Sequence, residues 1–277
     1  MPELPEVETL RRSLSEALLG REITGCSYLA WPRTIAAPTP DVFCELIQHR
    51  PILAVERRAK YLIMRLDRDE ALVVHLRMSG QLRVQAATAE RDKHTHVVFT
   101  LDDGRLLSFR DERKFGRIWL LDAAGLALLD QKLGPEPLDD QLTTAAFATV
   151  LRRRKGKIKP VLLDQSVIAG IGNIYADEAL WEAQLHPARA VPTLSDAETA
   201  RLHAAILTVL QRGIAHRGTT FGTYVDALGE PGTNQQHLQA YGRKGQPCVR
   251  CGTLIERMVV AQRGTYVCPV CQVVSEA

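Results

Sequence analysis

The chain begins MPELPEVETL, and its first group able to do chemistry stands at position 2. On loss of Met1, the nitrogen of Pro2 becomes a secondary α-amine. An α-amine has a reference pKa of about 8 against about 10.4 for lysine, so more of it is free base at neutral pH. Such an amine attacks an electrophilic carbon to give an iminium, an electron sink that acidifies the adjacent C–H. Glu3, a carboxylate, follows it directly. A Met-Pro start is by itself most often an inert end, so this pair needs support from elsewhere in the chain.

A second chemistry is written in residues 248–271, CVRCGTLIERMVVAQRGTYVCPVC. Cys248 and Cys251 form one C-x2-C pair, and Cys268 and Cys271 form another after sixteen intervening residues. Four thiolates on two tight turns joined by a hairpin close a tetrahedral Zn²⁺ site. With every position taken by protein there is none for water, so the zinc is structural rather than catalytic. The competing use, disulfides or redox pairs, fits a reducing compartment poorly. Arg263, in AQRGTY, falls at the hairpin tip, where a guanidinium reaches a phosphate or is simply solvated.

A third feature is AGIGNIYADE at 169–178, two glycines and Asn173 ahead of a helix. Glycines allow close backbone approach, and helix N-terminal amides favour anions. A tight turn with Asn173 as an ordinary cap explains the motif equally well. The run RRRKGKIKP at 152–160 just upstream, six cations and no acid, favours phosphate. Residues 241–271 add five Lys or Arg against Glu256 alone, while 118–150 hold five acids and one lysine. Cations gathered in patches suit a polyanion better than the net charge of +3 conveys.

The elements that must position these groups are legible in outline. The 277 residues, 45% hydrophobic, are enough for two domains. No apolar run approaches the roughly 20 residues of a membrane span, and the acidic start is no signal peptide, which makes this a cytosolic protein. Leu4, Val7, Leu10, Leu14 and Leu18 predict a helix over 4–18. Short β-rich runs follow to about Leu121, which predicts an antiparallel sandwich or barrel. GPEPLDD reads as a linker, and helices are expected near 143–155, 174–183 and 196–215, the last opening on the capping box Ser195–Glu198. Residues 217–245 read as a loop.

Together these stretches resemble the bacterial formamidopyrimidine-DNA glycosylases, relatives of endonuclease VIII. PELPEVET, RRAKYLI, HLRMSG, FRDERKFG, KPVLLDQSVIAGIGNIYADE, AYGRKGQPC and the cysteine hairpin occur in the family's order over essentially the whole chain. The resemblance implies an α+β fold: an N-terminal antiparallel β-sandwich with a flanking helix over 2–132, a helical domain with a helix-two-turn-helix over 133–240, and a four-cysteine zinc hairpin over 241–277. It implies removal of oxidised purines (8-oxoguanine and formamidopyrimidines) from double-stranded DNA through a Schiff base on Pro2, followed by β,δ-elimination. Glu3 would protonate the sugar ring oxygen, with Glu6 supporting the site. Lys60 would reach the lesion phosphate, and Arg263 would grip phosphate during the last elimination. His94, Arg154, Lys159 and Asn173 would hold the DNA backbone, and His75 is a further candidate. Met78, Arg113 and Phe115 would fill the hole left by a flipped base, with Arg113 facing the orphaned base. On residue type alone, Met78 and Phe115 read as core and Lys60 as a solvated strand lysine. One zinc per chain, no membrane and a monomer complete the expectation.

Two departures from the family pattern stand out. DERKFG replaces the common DPRRFG, bringing in Glu112 and Lys114, and the 217–240 loop differs from its relatives before Tyr241. Two rival readings remain: an oxidised-pyrimidine glycosylase of the endonuclease VIII type, and a non-catalytic zinc-ribbon protein that only binds damage.

Overall fold

The computed structural model describes residues 1–273. The chain forms two compact units: Met1–Gln131 with His216–Thr233, and Lys132–Ala215 with the chain from Asn234 on.

The first unit opens with α1 (Leu4–Leu18). Pro5 occupies its first turn, where a missing N–H costs nothing, and Val7, Leu10, Leu14 and Leu18 share one buried face. The strands follow as β1 (Glu22–Leu29), β2 (Ile35–Ala37), β3 (Arg50–Pro51), β4 (Ala54–Arg58), β5 (Tyr61–Arg65), β6 (Ala71–His75), β7 (Gly80–Gln85), β8 (Thr95–Leu101), β9 (Leu106–Asp111) and β10 (Arg117–Leu121), with α2 (Pro40–Leu46) between β2 and β3 and α3 (Ala123–Asp130) after β10. They make two five-stranded sheets, ordered β3-β1-β8-β9-β7 and β2-β10-β6-β5-β4. Alternate residues of both sheets, among them Leu62, Met64, Val97, Phe99, Leu107 and Phe109, join the apolar face of α1 in one core. Opposite residues of the second sheet, Ile63, Ala71 and Val73, are covered by Leu126 and Leu129 of α3. This sandwich pins the hairpin turns, and the turns carry the polar residues of interest.

Residues 216–233 cluster with the sandwich, although the sequence grouped them with the helices. The reason is specific bonding. Thr219 N donates to Glu6 Oε1 (2.7 Å), Ala227 N to Ser13 Oγ (3.2 Å) and Val84 N to Ala227 O (2.8 Å).

The second unit contains α4 (Thr144–Arg152), α5 (Ile158–Leu163), α6 (Asn173–Glu182), α7 (Asp196–Ala215) and the hairpin β11 (Glu256–Val260)–β12 (Arg263–Val267). The capping box of α7 is closed in both directions, Glu198 N to Ser195 Oγ (3.1 Å) and Ser195 N to Glu198 Oε2 (2.8 Å). Ile174 through Trp181 are all buried, so α6 is the central helix of this unit. It meets α7 at Gly213, where a Cβ would stand 2.6 Å from the Tyr175 ring. Only glycine permits that approach.

Candidate active site and zinc hairpin

The N-terminus of α1 is built around two buried carboxylates. Glu3 is the extended N-cap residue, 3% exposed, and its N–H donates to Glu6 Oε2 at 2.8 Å. Glu6, 1% exposed, also accepts from Thr219 N, while its carbonyl accepts the Tyr224 hydroxyl at 3.0 Å. Glu6 therefore ties the 216–233 segment to the start of α1. Burial, then the nearby Glu6 charge, raises the Tyr224 pKa, so its hydroxyl stays a donor. Pro2 is buried at the positive end of α1, with Met1 exposed before it. A helix N-terminus disfavours a nearby cation and so favours the unprotonated form of a Pro2 amine.

Lys60 lies in the two-residue turn between β4 and β5, whose ends pair as Arg58↔Tyr61. It is 5% exposed rather than solvated, and Ala59 before it has φ +54°. Its ammonium contributes to the state of His75. Burial first, then the charges of Arg77 and Lys60, hold His75 down at about 3. The imidazole is thus neutral. Its Nδ1 accepts from Arg77 N at 3.0 Å, which leaves the proton on Nε2 as a donor.

Met78 and Phe115 are 44% and 48% exposed, so neither is core. Both sit on turns held by one buried carboxylate, Asp111. Asp111 Oδ1 accepts from Ser79 Oγ (2.5 Å) and Arg113 N (3.1 Å), and Oδ2 accepts from Gly116 N (2.7 Å). The Met78 turn and the Arg113–Phe115 turn are therefore one rigid pair. The Arg113 guanidinium lies over the Phe115 ring, 4.9 Å from its centroid. His94 joins this edge through its carbonyl, which accepts from Asp111 N at 2.9 Å.

In the second unit, one sequence expectation does not hold. Lys159 is fully buried and cannot present its ammonium to a phosphate. Its Nζ pairs with Asp177 Oδ1 (2.6 Å) and donates to Gly264 O (3.0 Å) and Thr265 Oγ1 (2.8 Å). Asp177 Oδ2 accepts from Tyr266 N (3.0 Å), and Asn173 Nδ2 donates to Gly264 O (3.0 Å). Asn173 does not cap α6; Gly172 takes the N-cap. Three side chains thus hold β12 just beyond Arg263, which is exposed at the end of a tight turn with Ala261 and Gln262 both at positive φ. Burial pushes the Asp177 carboxyl up to about 7 despite the pull of Lys159. Arg154, half-buried, has its Nε buried without a hydrogen-bond partner. Asp177→Ala leaves the Lys159 charge buried and unpaired, and should cost roughly 3–5 kcal/mol, read as a lowered denaturant midpoint. The double variant Lys159→Met/Asp177→Leu should regain most of it; an Asp177→Ala loss below about 1 kcal/mol would show that the pair bears no such strain.

The four thiols fit zinc. Their sulfurs all lie within 4.8 Å of one another, with Cys248–Cys271 at 3.9 Å and Cys251–Cys268 at 3.5 Å. A tetrahedron with Zn–S bonds of about 2.3 Å has edges of roughly 3.8 Å. Cys271 N donates to Cys268 Sγ at 3.4 Å, as a turn wrapped around a metal thiolate does. When bound, the ion staples the hairpin to α6 through the small core of Trp181, Ala240, Ile255 and the buried Cys248 and Cys268.

Family models match the chain in the same order as these features. Residues 1–118 match the formamidopyrimidine-DNA glycosylase N-terminal domain, 133–225 its H2TH domain, and 245–273 the zinc finger found in FPG and IleRS. A formamidopyrimidine-DNA glycosylase of Herpetosiphon aurantiacus is 58% identical over 98% of this chain and all of its own length. The chain belongs to the formamidopyrimidine-DNA glycosylases. A relative of the same name from Chloroflexus aurantiacus is 51% identical over 99% of this chain and 98% of its own. Among solved structures, a Lactococcus lactis FPG mutant bound to Fapy-dG containing DNA superposes with a TM-score of 0.91 at 39% identity, covering 98% of this chain and all of that one. The Lactococcus lactis Fpg bound to DNA with an abasic site superposes equally well. This glycosylase is a base-excision-repair enzyme for oxidised purines with AP-lyase activity, its partner is DNA, and it carries a structural zinc.

Three residues of the glycosylase site escaped the sequence reading. Asp111 was visible only as part of FRDERKFG. Asp177 had a signal, since it lies one helical turn after Asn173 on the same face of α6. Thr219 gave none, because its contact with Glu6 spans more than two hundred residues.

Proposed function

We propose that Pro2, freed of Met1, is the nucleophile and Glu3 its proton donor. The Pro2 nitrogen attacks C1′ of the damaged nucleoside as the base leaves, and Glu3 protonates the ring oxygen so that the sugar opens to an iminium. Loss of the C2′ proton expels the 3′ phosphate, and a second elimination expels the 5′ phosphate. The observation that carries this reading is the N-terminus of α1. There the buried Glu3 carboxyl directly follows Pro2, itself buried at the positive end of the helix.

Lys60 and Arg263 serve the phosphates flanking the lesion. His94, Arg154 and Asn173 hold the backbone beside them, with the neutral His75 as a donor. Lys159 acts from beneath, by holding β12 behind Arg263. Met78, Arg113 and Phe115 fill the vacated stack, and Arg113 reads the opposite base, preferably cytosine. One lesion and one such site make a monomer sufficient. Among the described residues no helix is long and apolar enough to cross a membrane, and a cytosolic setting suits a chain that keeps Cys26 and Cys44 as thiols outside the zinc set.

Borohydride trapping tests this. Mixed with a duplex carrying 8-oxoguanine opposite cytosine, the processed protein should yield a reduced adduct that peptide mapping places on Pro2. An adduct on Lys60 instead would overturn the assignment.

A further inference from the structure

The Arg113–Phe115 turn carries a residue that void filling does not use. Lys114 has a left-handed backbone, φ +59°, and its side chain reaches Trp31. Its ammonium lies 4.3 Å from the centroid of the Trp31 ring, and Arg33 approaches the same ring at 5.7 Å. Three residues back along the chain from Trp31, Arg91 stacks on Tyr28 at 4.6 Å. Hydrogen bonds join these segments: Ala30 N donates to His96 O (2.9 Å), and the His96 side chain meets Asp111 O through Nε2 (2.8 Å).

The charges here are not neutralised. Asp92 and Glu112 are both engaged by Arg110, at 2.6 and 2.9 Å. Glu90 remains exposed nearby. Arg33, Arg91, Lys93 and Lys114 are all exposed and, among the described residues, form no ion pair. Three of these four cations are instead laid on aromatic rings. Stacking restricts a long side chain before any ligand arrives, so less conformational freedom is lost on binding.

We propose that Trp31, Tyr28, Arg33, Arg91 and Lys114 form a second DNA-contact strip, which grips the sugar–phosphate backbone of the duplex arm beside the wedge. This rests on the reading of the Arg113–Phe115 turn as the wedge. The occupant is backbone rather than base, because the aromatic rings are half-buried and covered by cations, leaving charge and not ring faces to the ligand. It is the duplex rather than an acidic protein, because Lys114 is bonded in chain between the two wedge residues and travels with them.

The test is the salt dependence of duplex binding by Arg33→Gln/Lys114→Gln and by Trp31→Leu, with Trp31→Phe and Phe115→Ala as comparisons. Each phosphate contact removed should make the slope of log K against log salt shallower by about 1. The charge variant should therefore lose roughly 5- to 50-fold in affinity at low salt, on damaged and undamaged duplex alike, with the loss falling on affinity rather than on the saturated single-turnover rate. Trp31→Phe should keep most of the binding that Trp31→Leu loses. An unchanged salt slope in folded variants overturns the strip. If Phe115→Ala still impairs excision in that case, the strip alone has failed; if Phe115→Ala is also silent, the wedge reading has failed with it.

Discussion

A chain that retains Met1 should form no borohydride-trapped adduct and should excise 8-oxoguanine more slowly by on the order of 10³-fold or more, the scale expected when a covalent nucleophile is lost. In that chain the Pro2 nitrogen is part of a tertiary amide. Its lone pair is delocalised into the carbonyl and it carries no proton to lose, so neither attack nor iminium formation is open to it. Removal of Met1 by an aminopeptidase should restore both readouts in the same sample, which excludes misfolding as the cause. Glu3→Gln should lose roughly 10²–10⁴-fold on 8-oxoguanine, the usual contribution of a positioned proton donor. The loss should be smaller on a duplex with a ready-made abasic site, whose sugar opens to an aldehyde unaided. Full activity with Met1 in place would move the nucleophile to an internal amine, and Lys60 would be the first to test.

The second large effect is at the zinc. Cys268→Ser should lower the zinc content from one ion per chain to none and weaken damaged-duplex binding by more than about 100-fold, while the first unit keeps its own thermal transition. The physical reason is that metal affinity at a structural four-cysteine site is folding free energy, with apparent values of about 10–16 kcal/mol in small zinc domains. A two-stranded hairpin is at best marginally stable without such a staple. The small core beside the cysteines cannot substitute for it, since Cys248 and Cys268 are themselves part of that core. Loss of zinc frees β11 and β12, and with them Arg263, Gly264 and Thr265, from the register that Lys159, Asp177 and Asn173 maintain. Zinc content and DNA affinity measured on one preparation check this, and unaltered affinity in the zinc-free variant would detach binding from the hairpin.

Lys159 and Asp177 show why part of the site was hidden. A lysine in a basic run reads as one more exposed cation, and five of the six cations in 152–160 are exposed or half-buried. Which one turns inward depends on α5, which leaves Ile158 and Lys159 on its buried side. Met78 and Phe115 were hidden for the opposite reason. Apolar residues are interior by default, and here both are exposed on turns that the Asp111 clamp, joining residues 79, 111, 113 and 116, ties together.

By itself, the sequence determined what depends on neighbours along the chain. Helix α1 follows from the spacing of its leucines, the capping box of α7 from Ser195 and Glu198, and the metal site from two C-x2-C pairs. These are local properties, set by periodicity, turn geometry and bonds a few residues long. Tertiary structure alone decided which side chains lose contact with water. Glu6 became the anchor of residues 216–233, Lys60 turned inward, His75 was held neutral, and Lys159 left the DNA-facing set for a buried pair with Asp177. Burial is a property of the assembled sheets and helices, and the energy of a charge depends on it more steeply than on any neighbour in sequence.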